Sequence, residues 1–454
     1  MDISQGINHI KQKNFVTALN FFLELEKNHK EDPNLFFYLG IIFYELGDFK
    51  KSIYYYEKIL EKNTNSINAL YNLAIVKQSV GKIDSAKKIY NDLKKIDKNK
   101  IKPYYGLFTL KPEYLLEEDF ETILSIKESK IPSLYDLGLI NFLLSKREKK
   151  NKIFENEIEL LKTYHSCIFD SKYEYNMSAR FYYKQIINKN FDKVQFTGNK
   201  DLINEGKTYS PIFIVGLPRS GSTLIESVLK SSKENIFSVG ECNVINGSVL
   251  EQIGPKIYIK DFNIENFKFE INEEVFNKSV INRYLQFNLN EKENKIFIDK
   301  SLENFFNIEI IINIFPNAKF IHTFRNPVDS VISIYQSMLA ELAWTHSIED
   351  ILDYIDYYYK AVNYFKQKYP QNFIDLELEK FSNSPEKLTR DIYKFCNLTW
   401  TDDSLNFYKR SDLFSKTLSY TQIRNKITKY NSKKYENYFY LLEKYQEKYR
   451  WLKI

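Results

Sequence analysis

The chain has 454 residues, with 65 Lys+Arg against 59 Asp+Glu and a net charge of +6. That length exceeds a single hydrophobic core, so two or three domains are expected, and the mild charge excess argues against a dedicated nucleic-acid binder, which would concentrate cations. Three scattered cysteines, Cys167, Cys242 and Cys396, give neither a disulfide framework nor a metal cluster and fit a reducing compartment. The opening "MDISQGINHIKQKNF" lacks the apolar segment of a secretory leader. No run approaches about 20 uncharged apolar residues, so no membrane span is expected. A cytoplasmic location follows from both.

Internal repetition comes first along the chain. Gly47 of "GDFKKSIYYYEKIL" returns 34 residues later as Gly81 of "GKIDSAKKIYNDL". At the same step Ser52 pairs with Ala86, Tyr56 with Tyr90, and Leu39-Gly40 with Leu73-Ala74, while Gly6 and Ala18 fall into register upstream. Small residues at close-approach positions and aromatics between helices resemble the tetratricopeptide pattern, with Thr64 and Lys98 where its consensus proline stands. Residues 1–110 are assigned to such repeats, and 111–205 to a degenerate helical repeat or connector, with a helix pair at roughly 117–170. A helical hairpin of this kind buries its apolar face only by stacking. The array either offers a concave surface for a protein partner and places the catalytic domain, or serves as a spacer or dimerisation element.

After the polar linker "TGNKDLINEGKTYS" the period changes. "PIFIVG", "NKIFID" and "AKFIHTF" are short, β-branched and bounded by turn residues, as buried parallel strands are. Amphipathic segments at 223–232, 302–315, 327–341 and 347–369 separate or follow them. Strands alternating with helices imply a parallel sheet covered on both faces, with ligands beyond the carboxyl ends of its strands. The domain is placed at 206–454.

"PIFIVGLPRSGSTLIES" (211–227) carries the chemistry. Gly216, Gly221 and Ser222-Thr223 take the places of the glycines and final residues of a Walker A loop, but Ser222 stands where the lysine belongs. Backbone N–H groups and the dipole of a helix beginning near Ser222 would close around an anion, with hydroxyls from Ser220, Ser222 and Thr223. Arg219 would add a charge-assisted bond worth ~1.5–3 kcal/mol. Without the lysine, and with Asp299 as the one clear acidic strand end, magnesium–triphosphate chemistry is poorly supported.

The loop resembles that of sulfotransferases that use 3′-phosphoadenosine 5′-phosphosulfate (PAPS), where "PRSGST" would hold the 5′-phosphosulfate. "FIHTFRNPVDSVISIY" is similar to the family's second element, which implies that Arg325 and Ser333, eight residues apart, bind the 3′-phosphate. Lys300 of "KIFIDKSLENF", 25 residues before Arg325, resembles the catalytic lysine. The histidine base that cytosolic small-molecule members carry two residues further on is replaced by Leu302, and His322 reads as a packed strand residue. The Gly-Glu pair of "SVGECNV" resembles protein-tyrosine sulfotransferases and bacterial proteins that join tetratricopeptide repeats to a sulfotransferase domain; in the former the glutamate, here Glu241, is the proposed general base. Its alternative is a salt-bridge partner for Arg219.

In "FSKTLSYTQIRNKITKYNSKKYENY" the resemblance implies a nucleotide-covering segment, with Ser419 helping Lys300 and Arg219 to stabilise the transferring group and Lys434 near the 3′-phosphate. A solvated basic loop competes for Lys434. Lys426 replaces a usual proline, and the usual Tyr before Glu379 is missing. The implied fold is an α/β P-loop-like sulfotransferase domain, a parallel sheet flanked by helices, behind an all-α tetratricopeptide-repeat solenoid. The implied reaction moves a sulfuryl group from PAPS to a hydroxyl of a protein tyrosine, glycan or small molecule without a metal. A P-loop kinase and a catalytically inactive nucleotide-binding scaffold are the rival readings.

Overall fold

The structure is a computed structural model that describes residues 2–454 apart from 30, 130–131, 199–205, 235, 258–261, 288–294 and 411–421, and omits the side chains of 207 and 422. The described residues form two compact units, one up to Tyr164 and one running from His165 to Arg410 and from Gln422 to Ile454.

The first unit is a run of antiparallel helices: α1 (Ser4–Lys11), α2 (Phe15–Asn28), α3 (Pro33–Glu45), α4 (Phe49–Lys62), α5 (Ile67–Ser79), α6 (Ile83–Ile96) and α7 (Lys102–Leu110). The 34-residue step recurs in the backbone. Lys13, Gly47 and Gly81 all turn the chain in the left-handed region, with φ of 58°, 83° and 79°, so the first repeat keeps the turn even though a lysine stands where glycine is less strained, while its first helix has 8 residues against 13 in α3 and α5. Between α3 and α4 the Tyr56 ring lies where a Cβ on Gly40 would stand, 2.7 Å away, and Tyr90 does the same at Gly106, 2.4 Å away. The Ser52 hydroxyl donates to the Gly40 carbonyl at 2.7 Å. Three more helices follow, α8 (Glu117–Glu128), α9 (Leu134–Lys150) and α10 (Phe154–Ser171).

In the second unit α11 (Tyr173–Phe181), a π-helical turn at Tyr182–Ile187 and α12 (Asn188–Asn190) precede the strands. The strands are β1 (Gln195–Thr197), β2 (Ile212–Gly216), β3 (Phe237–Gly240), β4 (Glu270–Asn272), β5 (Phe297–Asp299), β6 (Lys319–Phe324) and β7 (Phe373–Glu377). β1 pairs with β4, and the main sheet runs β3-β5-β2-β6-β7, parallel throughout. The helices packed with it are α13 (Ser222–Lys230), α14 (Val244–Ile257), α15 (Glu273–Leu285), α16 (Ile308–Ile314), α17 (Pro327–Tyr335), α18 (Ile348–Lys368), α19 (Leu378–Asn383) and α20 (Pro385–Phe395). All five residues of β2 are buried, the signature of a central strand covered on both faces.

Two helices expected from the sequence are shorter here. The 302–315 segment begins as a 3₁₀ turn, Leu302–Phe306, before α16, because Asn304 reaches back to the Asp299 carboxylate at 3.3 Å. The 327–341 segment stops at Tyr335, two residues before Ser337, whose hydroxyl donates to the Ser333 carbonyl at 2.7 Å, a local side-chain bond that competes with helix continuation.

Candidate functional site

Four neighbouring strands deliver the site from their carboxyl ends. In spatial order β3 leads to Glu241, β5 to Lys300, β2 to the glycine loop and β6 to Arg325. In the loop, Gly216 (φ +150°) passes so close to β6 that a Cβ there would lie 2.2 Å from the Thr323 carbonyl oxygen, which only glycine tolerates. Arg219 and Gly221 both hold left-handed conformations, φ +68° and +89°, and α13 starts at Ser222. For a non-glycine residue such as Arg219 this strain costs of order 1–3 kcal/mol and is a mark of functional loops. Successive turns of this kind make an N–H concavity for an anion, at a helix N-terminus that favours negative charge. The Ser220 hydroxyl is engaged inside the loop, donating to the Leu217 carbonyl at 2.7 Å and lying 2.8 Å from Thr323 Oγ1. What Ser220 can offer an anion is therefore its backbone N–H.

Lys300 is 1% exposed at its side chain and sits between two carboxylates. Its Nζ is 2.9 Å from Glu241 Oε1, 3.3 Å from Glu226 Oε2 and 3.3 Å from Thr223 Oγ1, which accounts for all three ammonium hydrogens. A register shift in β3 between Ser238 and Gly240, with the Lys300 N–H on the Gly240 carbonyl at 2.9 Å, brings Glu241 alongside. Burial alone would push the ammonium toward neutrality, but Glu226 and then Glu241 hold its pKa above the ordinary lysine value. Glu241 is half exposed, so one side of the pair stays open. Glu226 was not singled out in the sequence. The available signal was its spacing from Thr223, i and i+3 on a helix starting at the loop, which puts both on one face.

Asp299, next to Lys300, takes no part in this pair. Fully buried, it accepts from Tyr284 Oη at 2.7 Å, the Ser301 N–H at 2.7 Å, Cys242 Sγ at 3.3 Å and Asn304 at 3.3 Å. Its carboxylate anchors the strand end. His322 is packed in β6, bonded to Asp375 at 2.8 Å and to Tyr358, as the sequence suggested.

On the other side of the loop a second group of cations gathers. Arg325 is buried and donates to the Asp329 backbone carbonyl, while the Asp329 carboxylate takes the Tyr430 hydroxyl. A surface ion pair between Arg325 and Asp329 is thus not what holds the arginine. The turn after β6 is fixed by Glu379, which accepts the Asn326 N–H at 2.7 Å, and by Asn326 capping α17 ahead of Pro327. Ser333, two turns into α17, hydrogen-bonds Tyr435, as does Lys434. The Arg325 guanidinium lies 5.6 Å from the Tyr435 ring centre. Arg219 shares this neighbourhood: burial, then the Arg325 charge, lowers its pKa, and Tyr435 opposes them. Burial would raise the Tyr435 phenol, yet Arg325, Lys434 and the bonds from Ser333 and Lys434 outweigh it and hold it below 10. Ser419 lies outside the described residues.

These residues fit a doubly anionic nucleotide. The Nε of Arg325 is buried without a hydrogen-bond partner among the described residues, an uncommon and costly state unless an anion completes it. Arg219, Arg325 and Lys434 gather around the Tyr435 phenol, so negative charge is favoured at this place. Sequence reasoning brought Arg325, Ser333 and Lys434 to this place but not Tyr435 or Tyr430, whose neighbours come from a segment about 100 residues away.

Residues 211–402 match the model of a sulfotransferase family, and residues 33–66 match a tetratricopeptide repeat. A curated relative, an uncharacterized protein of Aquifex aeolicus (strain VF5), is 24% identical over 460 residues, covering 96% of this chain and 57% of its own length. The chain thus spans little more than half of that relative. Similar solved structures include the sulfotransferase domain of the Synechococcus PCC 7002 olefin synthase (17% identity, 53% of this chain and 91% of that one, TM-score 0.35). Another is sulfotransferase STF1 of Mycobacterium tuberculosis H37Rv (12%, 71% and 96%, TM-score 0.31). Sulfotransferase STF9 of Mycobacterium avium is a third (13%, 73% and 96%, TM-score 0.31). No helix among the described residues is long and apolar enough to cross a membrane. With its glycine loop and strand-end cations inside the matched span, the chain carries a sulfotransferase-family domain behind tetratricopeptide-type repeats.

Proposed function

We propose that the chain transfers a sulfuryl group from PAPS to an acceptor hydroxyl. The observation that carries this reading is the 2.9 Å pair of a half-exposed Glu241 with a buried Lys300 at strand ends flanking the loop. PAPS, when bound, supplies a sulfuryl group that passes to the acceptor oxygen as the S–O bond to the leaving phosphate breaks with its electron pair. Glu241 takes the proton of the acceptor hydroxyl, which its exposure lets it reach. Lys300 and the loop N–H groups stabilise the charge that grows on the oxygens, the main contribution in group transfers of this type. Arg325, Ser333 and Lys434 hold the 3′-phosphate. Arg219 and Ser419 join Lys300 in stabilising the transferring sulfuryl group. The acceptor is a protein tyrosine, a glycan or a small hydroxylated molecule, and the repeats recruit or orient it.

Triphosphate chemistry is disfavoured by Ser222 in the lysine position and by an Asp299 whose oxygens are already engaged by four donors. The test is to incubate the purified chain with radiolabelled PAPS and a fractionated extract of its own cells, with calorimetry of adenosine 3′,5′-bisphosphate alongside. Label in an acceptor fraction together with bisphosphate binding is expected. Bisphosphate binding without transfer to acceptor or water would leave an inactive nucleotide-binding scaffold, and no binding would reject the reading.

A further inference from the structure

Two carboxylates share one buried ammonium, and they are not equivalent. Glu241 is half in solvent, whereas the Glu226 side chain is 12% exposed and its other oxygen, Oε1, accepts the Ser238 hydroxyl at 2.6 Å. Thr223 and Glu226 reach Lys300 from one face of α13. The base in the proposed reaction loses its charge when it takes the acceptor proton. At that moment Glu241 no longer balances Lys300, and a buried cation needs another counter-charge to stay ionised.

We propose that Glu226 is the positioning residue of this site: it keeps Lys300 charged and in place while Glu241 is protonated. The inference rests on the sulfuryl-transfer reading. It assigns the two carboxylates separate tasks. The exposed one exchanges protons with the acceptor, and the buried one, fixed by Ser238 from β3, carries the permanent counter-charge. Burial and proximity support the split: among the charges that raise the Lys300 pKa, Glu226 ranks above Glu241. Although burial would raise the Glu226 carboxyl, Lys300, then Lys230, and the Ser238 and Lys300 hydrogen bonds hold it below the ordinary glutamate value. The titratable groups of the cluster are thus Glu226 and Lys230 on α13, Glu241 after β3 and Lys300 after β5. Asp299 stands behind with Tyr284 and Cys242.

The test is Glu226→Gln in the full chain, followed by release of labelled sulfate from PAPS to water, which needs no identified acceptor. Lys300 acts as a cation, so activity falls as pH rises through its pKa. Removing Glu226 lowers that pKa, so the alkaline limb of kcat moves to lower pH by roughly one pH unit. At neutral pH, far below that limb, the ammonium stays charged and kcat falls only because it is less well held, by up to ~10-fold, so the loss deepens as pH rises toward the limb; bisphosphate affinity stays within about threefold, as expected of a group that acts on the reacting end. Glu226→Asp, which restores the charge one carbon short, recovers part of the rate. Ser238→Ala, which removes only the hydroxyl holding Oε1, shifts the limb the same way by less and serves if Glu226→Gln fails to fold. A loss of kcat that is equal at every pH, or a Gln variant with wild-type rate and limb, overturns the proposal. An inactive wild type would instead strike the parent reading.

Discussion

Tyr56 in the repeat unit and Lys300 in the α/β unit are both buried, but they are held inside by opposite means. Tyr56 lies flat against Gly40, and its neighbours within the same cluster are Leu39, Phe36 and Ile59; shape and apolar area do the work. Lys300 is enclosed by Glu226, Glu241 and Thr223, and near it Asp299, Arg325 and Asp329 are buried as well. A charge removed from water costs several kcal/mol that pairing seldom repays in full. The repeat unit is therefore built for stability, whereas the strand ends give up stability to keep charges ready at fixed positions.

The contrast can be broken at several points. Lys300→Ala is expected to lower sulfuryl transfer on the order of 10³-fold while bisphosphate binding remains measurable; wild-type turnover would remove the lysine from the mechanism. It also leaves Glu226 without its cation, costing about 3–5 kcal/mol of stability. The double variant Lys300→Met/Glu226→Gln should recover most of that stability and none of the rate. Arg325→Ala is expected to weaken adenosine 3′,5′-bisphosphate roughly 10- to 100-fold, and unchanged affinity in calorimetry would sink the 3′-phosphate assignment.

A pH effect of intermediate size should come from His346, packed 3.3 Å from His165. Burial lowers its pKa to about 4 against small opposing contributions. Between pH 6.5 and 4 the unfolded chain binds more protons there than the folded one, so stability falls as pH falls through that window, by about 2–3 kcal/mol. Denaturant midpoints of His346→Asn measured across the window should be flatter than those of the wild type. The smallest effect belongs to the repeat unit. Gly106→Ala puts a methyl 2.4 Å from the Tyr90 ring, costing about 1–2 kcal/mol. Faster hydrogen exchange in Ile83–Ile96 and Lys102–Leu110 with unchanged sulfate release would sharpen the division of labour; lost turnover would blur it.

The residues legible beforehand are those whose job is set by the local backbone. The 34-residue step, the left-handed turns at Gly47 and Gly81, the glycine loop and the strand ends at Gly216, Asp299 and Phe324 are all short-range patterns. They sufficed to place Lys300, Glu241 and Arg325 at one edge of a parallel sheet. The sequence also assigned Ser220 as a hydroxyl donor to the anion, but its hydroxyl is spent on Leu217 and Thr323. That use depends on how closely β2 approaches β6, and a residue string does not carry that distance.

By itself, then, the chain's order of residues determined the repeat, the parallel α/β unit and the list of strand-end cations, because period and turn chemistry act over a few residues. Only the tertiary structure decided that β3 and β5 are neighbours, that Glu226 joins Glu241 on Lys300, and that Tyr435 enters the cradle of Arg325 and Ser333. Those choices follow from strand order and from the cost of burying a charge alone, which brings together partners that lie about 60 to 100 residues apart in the chain.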